Sequence, residues 1–124
     1  MPTKALIDSG ATRSCISMKF LKMLKLKPKS LENNQPSELL TAANTPMHVL
    51  GTVDIDIKMN GFIVSHTFNV LDNLFHNSIF GMDFLTAAHA RVDFCDHVVS
   101  FYDGLVVLPL IDSGSSQFVC RLPH

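Results

Sequence analysis

The sequence is poor in cysteine, and its three cysteines, Cys15, Cys95 and Cys120, are an odd number with no CxxC spacing. This pattern does not provide a disulfide framework or a zinc knuckle. Cys95 and His97 are the only close pair of typical metal ligands, and a structural zinc site needs four. We therefore expect no metal, no cofactor, and free thiols in a reducing compartment such as the cytoplasm.

The sequence also lacks a charge imbalance and any long apolar run. Its formal net charge of −1 gives no reason to expect nucleic acid or an anionic membrane surface as a partner. No apolar stretch approaches the length that spans a bilayer. Asp8 interrupts the apolar N-terminal stretch, so a signal-peptide core is not expected.

What the sequence does contain is enough apolar material for one domain, since 47% of the 124 residues are hydrophobic. Val53, Ile55 and Ile57 alternate with polar residues, which predicts a strand with one buried face. Asn60-Gly61 predicts a two-residue hairpin turn after it. Further predicted strands are Lys4–Ile7, Phe62–Leu71, Ser78–Phe80, Val92–Phe94, Val98–Tyr102 and Leu105–Leu110, with Asp103-Gly104 as a turn. Many short strands predict a mainly β domain, a closed barrel or a sandwich.

One or two short helices are expected within this β domain. Apolar spacing predicts a helix over 17–26 with Ser17 as a possible N-cap, and a second over 84–89 capped by Asp83. A hairpin is predicted from 39 to 49, with its turn at Asn44.

Three segments together point to chemistry. The first is Ala5-Leu6-Ile7-Asp8-Ser9-Gly10-Ala11, the second is the hairpin from Leu40 to Gly51, and the third is Ser78-Ile79-Phe80-Gly81-Met82-Asp83-Phe84-Leu85. In this order they resemble the active-site turn, flap and glycine block of retroviral-type (retropepsin-like) aspartic proteases, especially those of LTR retrotransposons and their domesticated relatives. The resemblance covers about Ala5 to Leu110. It implies the retropepsin-like acid protease fold, with each chain forming half of a homodimeric active site.

The chemistry explains why an aspartate is needed in such a turn. Hydrolysing a peptide bond without a metal or a covalent intermediate requires a base to activate water and an acid to protonate the carbonyl oxygen. Two adjacent carboxylates that share one proton can do both. This chain offers one, Asp8, and a two-fold axis would supply the second.

The resemblance assigns roles to individual residues. Asp8 is the expected catalytic residue, Ser9 would hydrogen-bond across the dimer, and Gly10 would let water and substrate approach the backbone. The residues expected to contact substrate are Ala11, Thr12, Ala42, Ala43, Asn44 and Ile79. The residues expected to support the site are Phe80, Gly81 and Asp83, the last as a helix cap or a buried hydrogen-bond acceptor.

The chain also departs from the retroviral pattern. Thr12 and Met82 stand where many retroviral enzymes have a paired Asp and Arg, so both partners are absent together. Seven residues precede Asp8, fewer than in the retroviral enzymes, which carry an interface strand there. Pro46 follows the expected flap tip and lacks an N–H, which predicts a stiffer or displaced turn.

The predicted division is a protease subunit over 1–110 and a flexible tail over 111–124. The tail contains a second Asp112-Ser113-Gly114, which is an alternative source of the second aspartate within one chain. The expected function is an aspartic endopeptidase that cuts a polyprotein, in the cytoplasm or inside a virus-like particle. The alternative is a domesticated, non-catalytic dimeric module that keeps the fold and binds peptide.

Overall fold

A computed structural model describes residues 1–31, 38–40, 46–111 and 116–123. This part of the chain contains ten strands and two short helices. In chain order they are β1 Pro2–Ile7, β2 Cys15–Ser17, α1 Met18–Met23, β3 Glu38–Leu40, β4 Pro46–Met59, β5 Phe62–Leu71, β6 Ser78–Phe80, α2 Met82–Ala87, β7 Arg91–Asp93, β8 Val98–Phe101, β9 Val106–Pro109 and β10 Gln117–Arg121. No helix among the described residues is long and apolar enough to cross a membrane.

The larger sheet closes on itself. Its strand order is β10-β1-β6-β2-β5-β4-β3, and a further pairing of β10 with β4, at Arg121 and Lys58, completes the ring. Closure removes exposed strand edges from the ring. Within the ring, β1 pairs with β6 in parallel and with β10 in antiparallel orientation. The predicted mainly β fold is therefore confirmed, and of the two expected architectures, a closed barrel or a sandwich, the structure shows a closed ring of strands.

The long hairpin of β4 and β5 forms as the sequence predicts. Met59 pairs with Phe62, and Asn60 and Gly61 form the turn with φ angles of 50° and 85°. Two positive φ angles suit a primed turn, whose twist matches the strands on either side. Val53, Ile55 and Ile57 all point into the core, so the period-two pattern correctly gave the buried face.

A smaller sheet of β7, β8 and β9 follows α2. The hairpin between β8 and β9 confirms the predicted turn, with Asp103 and Gly104 at φ angles of 57° and 92°. Val99, Phe101 and Val106 bury their side chains, and the Phe101 ring lies 5.9 Å from Phe84 of α2. The smaller sheet therefore shares one core with the barrel.

The first helix is capped as predicted. The Ser17 hydroxyl accepts a hydrogen bond from the Phe20 N–H at 3.0 Å, which satisfies one of the free donors at the start of α1. The helix is shorter than predicted and ends at Met23.

The expected cap of the second helix is wrong. Gly81, not Asp83, is the N-cap of α2, and Asp83 lies in the first helical turn. The N–H groups of Met82 and Asp83 instead donate to the backbone carbonyls of Ala11 and Thr12, at 2.7 and 3.2 Å. The free N–H groups at the start of α2 thus find their acceptors in the loop that follows β1.

The tail was predicted to be flexible, but its residues 117–121 are ordered. They form β10, which pairs antiparallel with β1 from Pro2–Arg121 to Leu6–Gln117. Phe118, Cys120 and Leu122 are buried, and the Ile7 N–H donates to the Ser116 carbonyl at 2.6 Å. Burial of these three alternating apolar side chains favours an ordered segment over a flexible one. Asp112 lies outside the described residues.

Candidate active site

Asp8 stands at the point where β1 leaves the barrel. Its N–H donates to the Phe80 carbonyl at 3.1 Å, which continues the pairing of β1 with β6. The Gly10 N–H donates to Asp8 Oδ1 at 2.9 Å, and the Ala11 N–H donates to the Asp8 carbonyl at 3.1 Å. These bonds form a tight turn that fixes the carboxylate on the rigid end of a buried strand.

The turn is accessible to solvent. Ser9, Gly10 and Thr12 are exposed, whereas Asp8 and Ala11 are half-buried. The Gly10 bond occupies Oδ1, and no hydrogen bond reaches Oδ2 from the residues that the structure describes. The carboxylate can therefore approach water, substrate or a second carboxylate on that side.

Gly81 passes directly beneath this turn, which we call the Asp8 loop (residues 8–14). A Cβ atom at position 81 would lie 2.7 Å from the carbonyl oxygens of Ala11 and Arg13, closer than real Cβ atoms come. Both contacts are with backbone, which cannot rotate away. Close approach, not an unusual φ angle, thus requires glycine here.

Asp83 holds the far end of the Asp8 loop. Its Oδ1 accepts from the Ser14 hydroxyl and from the Phe84 N–H, both at 2.7 Å, and its Oδ2 lies 3.1 Å from His66 Nε2. Burial would by itself raise the pKa of Asp83, but the hydrogen bonds from Ser14, His66 and Phe84 outweigh it and hold the pKa below its ordinary value. Asp83 is therefore a charged hydrogen-bond acceptor, the second of its two predicted roles.

Ser14, Asp83 and His66 have the residue types of a serine hydrolase triad but not its arrangement. In a triad the histidine contacts the serine hydroxyl and takes its proton. Here the hydroxyl donates to the carboxylate and accepts from the Gly81 N–H at 3.0 Å, and Ser14 is fully buried. Ser14 consequently has no base and no access to substrate.

Cys15 is also unsuited to nucleophilic chemistry. Burial, followed by the negative charges of Asp83 and Asp8, raises the pKa of its thiol to about 12. Because the thiolate is the reactive form, this thiol is inert near neutral pH.

The other predicted substrate and support residues lie around this loop or outside the described residues. Phe80 is fully buried, and its ring packs edge-to-face on Phe84 at 4.7 Å. Ile79 is half-buried and packs against a small second cluster of Cys15, Val49 and Leu71. Strand β3 pairs with β4 from Glu38–His48 to Leu40–Pro46, but Ala42, Ala43 and Asn44 lie outside the described residues.

An apolar cleft opens beside Ser9. Its volume is about 430 Å³, and its walls include Ile7, Ser9, Met82, Leu85, Val92 and Phe94. Met82 and Phe94, which both line this cleft, are 42% and 67% exposed, and large apolar side chains exposed in one patch are uncommon. An apolar surface thus lies directly beside the exposed face of the Asp8 loop.

Sequence reasoning did not select Ser14 or His66. Ser14 follows Arg13 in an irregular loop, and His66 is one of six histidines on a chain with no local motif around it. Their common partner, Asp83, is distant in sequence from both, so only the folded chain brings them together.

The Asp83 contacts lead to a prediction on stability. Asp83→Asn should lower the free energy of unfolding by about 1–3 kcal/mol at neutral pH, because charge-assisted hydrogen bonds are lost. The pKa of Asp83 is lower in the folded protein than in the unfolded chain. The stabilisation by ionised Asp83 is therefore complete above the ordinary carboxyl pKa, and it is lost as the pH falls through the lower pKa of the folded state. Urea unfolding at pH 7 and at steps below about pH 4 measures this difference.

Asp72→Asn is the matched control for that prediction, because Asp72 is exposed and bonds only the neighbouring Asn73 N–H among the described residues. It should change stability little at either pH. A difference between Asp83→Asn and the unmodified protein that persists undiminished at low pH would contradict an ionised Asp83.

Comparison with known proteins agrees with this geometry. Residues 1–87, which include the Asp8 loop, both strands of the long hairpin and α2, match the family model described as gag-polyprotein putative aspartyl protease. No curated protein matches the sequence. Among solved structures, the retroviral protease-like domain of Ddi1 from Leishmania major is similar in fold, with a TM-score of 0.71 and 16% identity over 90% of this chain and 88% of that one.

The family match covers more than half of the chain, and the structural likeness confirms the fold that the sequence motifs implied. The chain belongs to the gag-polyprotein aspartyl protease family and has the retroviral protease-like fold.

Proposed function

We propose that the chain is one subunit of a homodimeric aspartic endopeptidase that hydrolyses peptide bonds, with a polyprotein as substrate. The observation that carries this proposal is the Asp8 loop. A half-buried carboxylate is fixed by the Gly10 N–H at the end of a core strand, next to the exposed residues Ser9 and Gly10, and its second oxygen accepts no hydrogen bond from the described residues. This is the placement that a general acid–base carboxylate requires.

The chemistry needs a second carboxylate, and an identical subunit would supply it. In the proposed dimer the two Asp8 side chains face each other, share one proton and hold the attacking water between them. The ionised carboxylate takes a proton from this water, and the protonated one donates to the carbonyl oxygen of the scissile bond. No metal is needed in this scheme.

The surface beside the loop supports this pairing. Ser9 is exposed at the rim of the apolar cleft, together with the exposed side chains of Met82 and Phe94. A second subunit that docked there would bury this apolar surface while it brought its own Asp8 loop to the site. Ser9 would then bond across the interface.

The substrate side of the site rests on the hairpin of β3 and β4. Strand β4 of this hairpin approaches Ile79 through Val49 and Met47, which belong to the same small cluster. In the proposal this hairpin acts as a flap that closes over an extended peptide, and Ala42, Ala43 and Asn44 would contact that peptide. Ala11, Thr12 and Ile79 would contact the peptide from below.

The purified chain should cleave members of a peptide library at mildly acidic pH, and pepstatin should stop the cleavage. Because each active site takes one aspartate from each subunit, the rate should fall faster than linearly as the protein is diluted. Initial rates across a concentration series, together with sedimentation over the same series, measure both effects.

The outcomes of that experiment separate the candidates. A dimer that binds peptides without cleaving them would favour the non-catalytic binding module. A strict monomer that cleaves would point to Asp112 as the second aspartate. Loss of activity on adding chelator would contradict an aspartic mechanism.

A further inference from the structure

The Asp8 loop is connected to strand β5 by a chain of hydrogen bonds that crosses the start of α2. Ser14, at the end of the loop, donates to one oxygen of Asp83, and His66 of β5 contacts the other oxygen at 3.1 Å. We propose that His66 is a positioning residue, which holds the Asp8 loop in its active geometry through Asp83.

The direction of the His66 contact follows from the charge of Asp83. An ionised carboxylate only accepts hydrogen bonds, so His66 must present an N–H at Nε2. A hydrogen bond to a charged acceptor is stronger than one between neutral groups. His66 therefore anchors Asp83 firmly, while Ser14 and Phe84 occupy the opposite oxygen.

His66 is itself held in a single orientation. Its ring packs edge-to-face against Phe68 on its own strand at 5.6 Å and against Phe84 of α2 at 5.2 Å. Its backbone pairs with Ile55 across the long hairpin. A side chain fixed by two aromatic rings and a barrel strand is a rigid point to which a loop can be attached.

The attachment reaches the reacting group through backbone contacts. When Asp83 is in place, its N–H donates to Thr12 and the neighbouring Met82 N–H donates to Ala11. Ala11 in turn closes the turn on Asp8 with a bond of 3.1 Å between its N–H and the Asp8 carbonyl. A shift of Asp83 would therefore move the turn that sets the Asp8 carboxylate.

His66 thus has a role beyond stability, and the effect expected on kcat rests on the proposed protease function. His66→Leu removes the donor and keeps an apolar side chain between the two rings. It should lower kcat by about 10- to 100-fold with little change in KM, because a displaced catalytic group affects the reacting geometry more than substrate binding. His66→Gln restores an N–H at similar reach and should recover most of kcat.

Thr67→Val is the matched control. Thr67 is next to His66 on β5 and also donates to a carboxylate, Asp54 Oδ1, but on the exposed face of the hairpin away from the Asp8 loop. Its removal should leave kcat unchanged. An equal loss of kcat in Thr67→Val and His66→Leu would overturn the inference, as would full activity of His66→Leu.

Hydrogen exchange tests the same inference without any need for activity. In His66→Leu the Met82 and Asp83 amides should exchange faster relative to the amides of β8, whereas in His66→Gln and Thr67→Val they should keep their protection. Unchanged protection in His66→Leu would overturn the positioning role. If the unmodified protein cleaves no peptide, the proposed function fails, and this exchange measurement alone decides the role of His66.

Discussion

Asp8→Asn should lower kcat/KM by about 10²- to 10⁴-fold or more, because it removes both the acid and the base of the proposed pair. The fold should be unchanged, since the amide oxygen of asparagine can still accept the Gly10 N–H bond at Oδ1 and the volume hardly changes. The measurement is the initial rate on one peptide substrate, with the thermal unfolding midpoint recorded on the same preparations.

Asp112→Asn is the control for this substitution, because Asp112 also begins an Asp-Ser-Gly sequence. It should leave the rate unchanged if the second carboxylate comes from a partner subunit. A loss of activity in Asp112→Asn at an unchanged unfolding midpoint would show that one chain supplies both aspartates. An active Asp8→Asn protein would remove Asp8 from the mechanism.

Gly81→Ala should damage both stability and activity. The added methyl group would lie 2.7 Å from the backbone oxygens of Ala11 and Arg13, so either the Asp8 loop or the start of α2 has to move. Overpacking of this kind costs about 1–3 kcal/mol, and more where the neighbour is backbone. The displacement should also lower kcat by about 10²-fold in the molecules that fold, because it moves the Asp8 loop, which carries the proposed catalytic carboxylate.

Gly61→Ala separates the two effects. Gly61 has a φ angle of 85° in the hairpin turn, with no atom within 4 Å of a Cβ placed there, and it lies far from Asp8 along the hairpin. Alanine at 61 should destabilise the fold by about 1–2 kcal/mol through backbone strain and leave the rate of the folded protein unchanged. If Gly81→Ala behaves in the same way, the contact beneath the Asp8 loop does not control catalysis.

Local patterns predicted much of the fold. The alternation of Val53, Ile55 and Ile57 gave the buried face of β4, Asn60-Gly61 gave its turn, and Ser17 gave the first helix cap. Each of these signals acts within a few residues, through side-chain periodicity, positive φ angles or a single hydrogen bond. The same kind of reasoning missed β2 and β10, because both are short and depend on partners distant in sequence.

The candidate site was predictable only in part. The Asp-Ser-Gly segment and the glycine block identified Asp8 and Gly81, since both have chemical or steric reasons for their residue type. Asp83 was predicted to be either a helix cap or a buried hydrogen-bond acceptor, because sequence alone shows only a carboxylate before an apolar run. Backbone carbonyls of the Asp8 loop accept from the first N–H groups of that helix instead, so the Asp83 carboxylate is free to contact Ser14 and His66.

The sequence by itself determined that this protein is a mainly β domain with Asp8 in a tight turn at the end of a strand. Only the tertiary structure decided what holds that turn. Ser14, His66 and Asp83 come from a loop, a strand and a helix, and a carboxylate has several acceptor sites that any donor in reach can use. Which donors come within reach depends on the closed ring of strands, and closure is a property of the whole chain, not of any one segment.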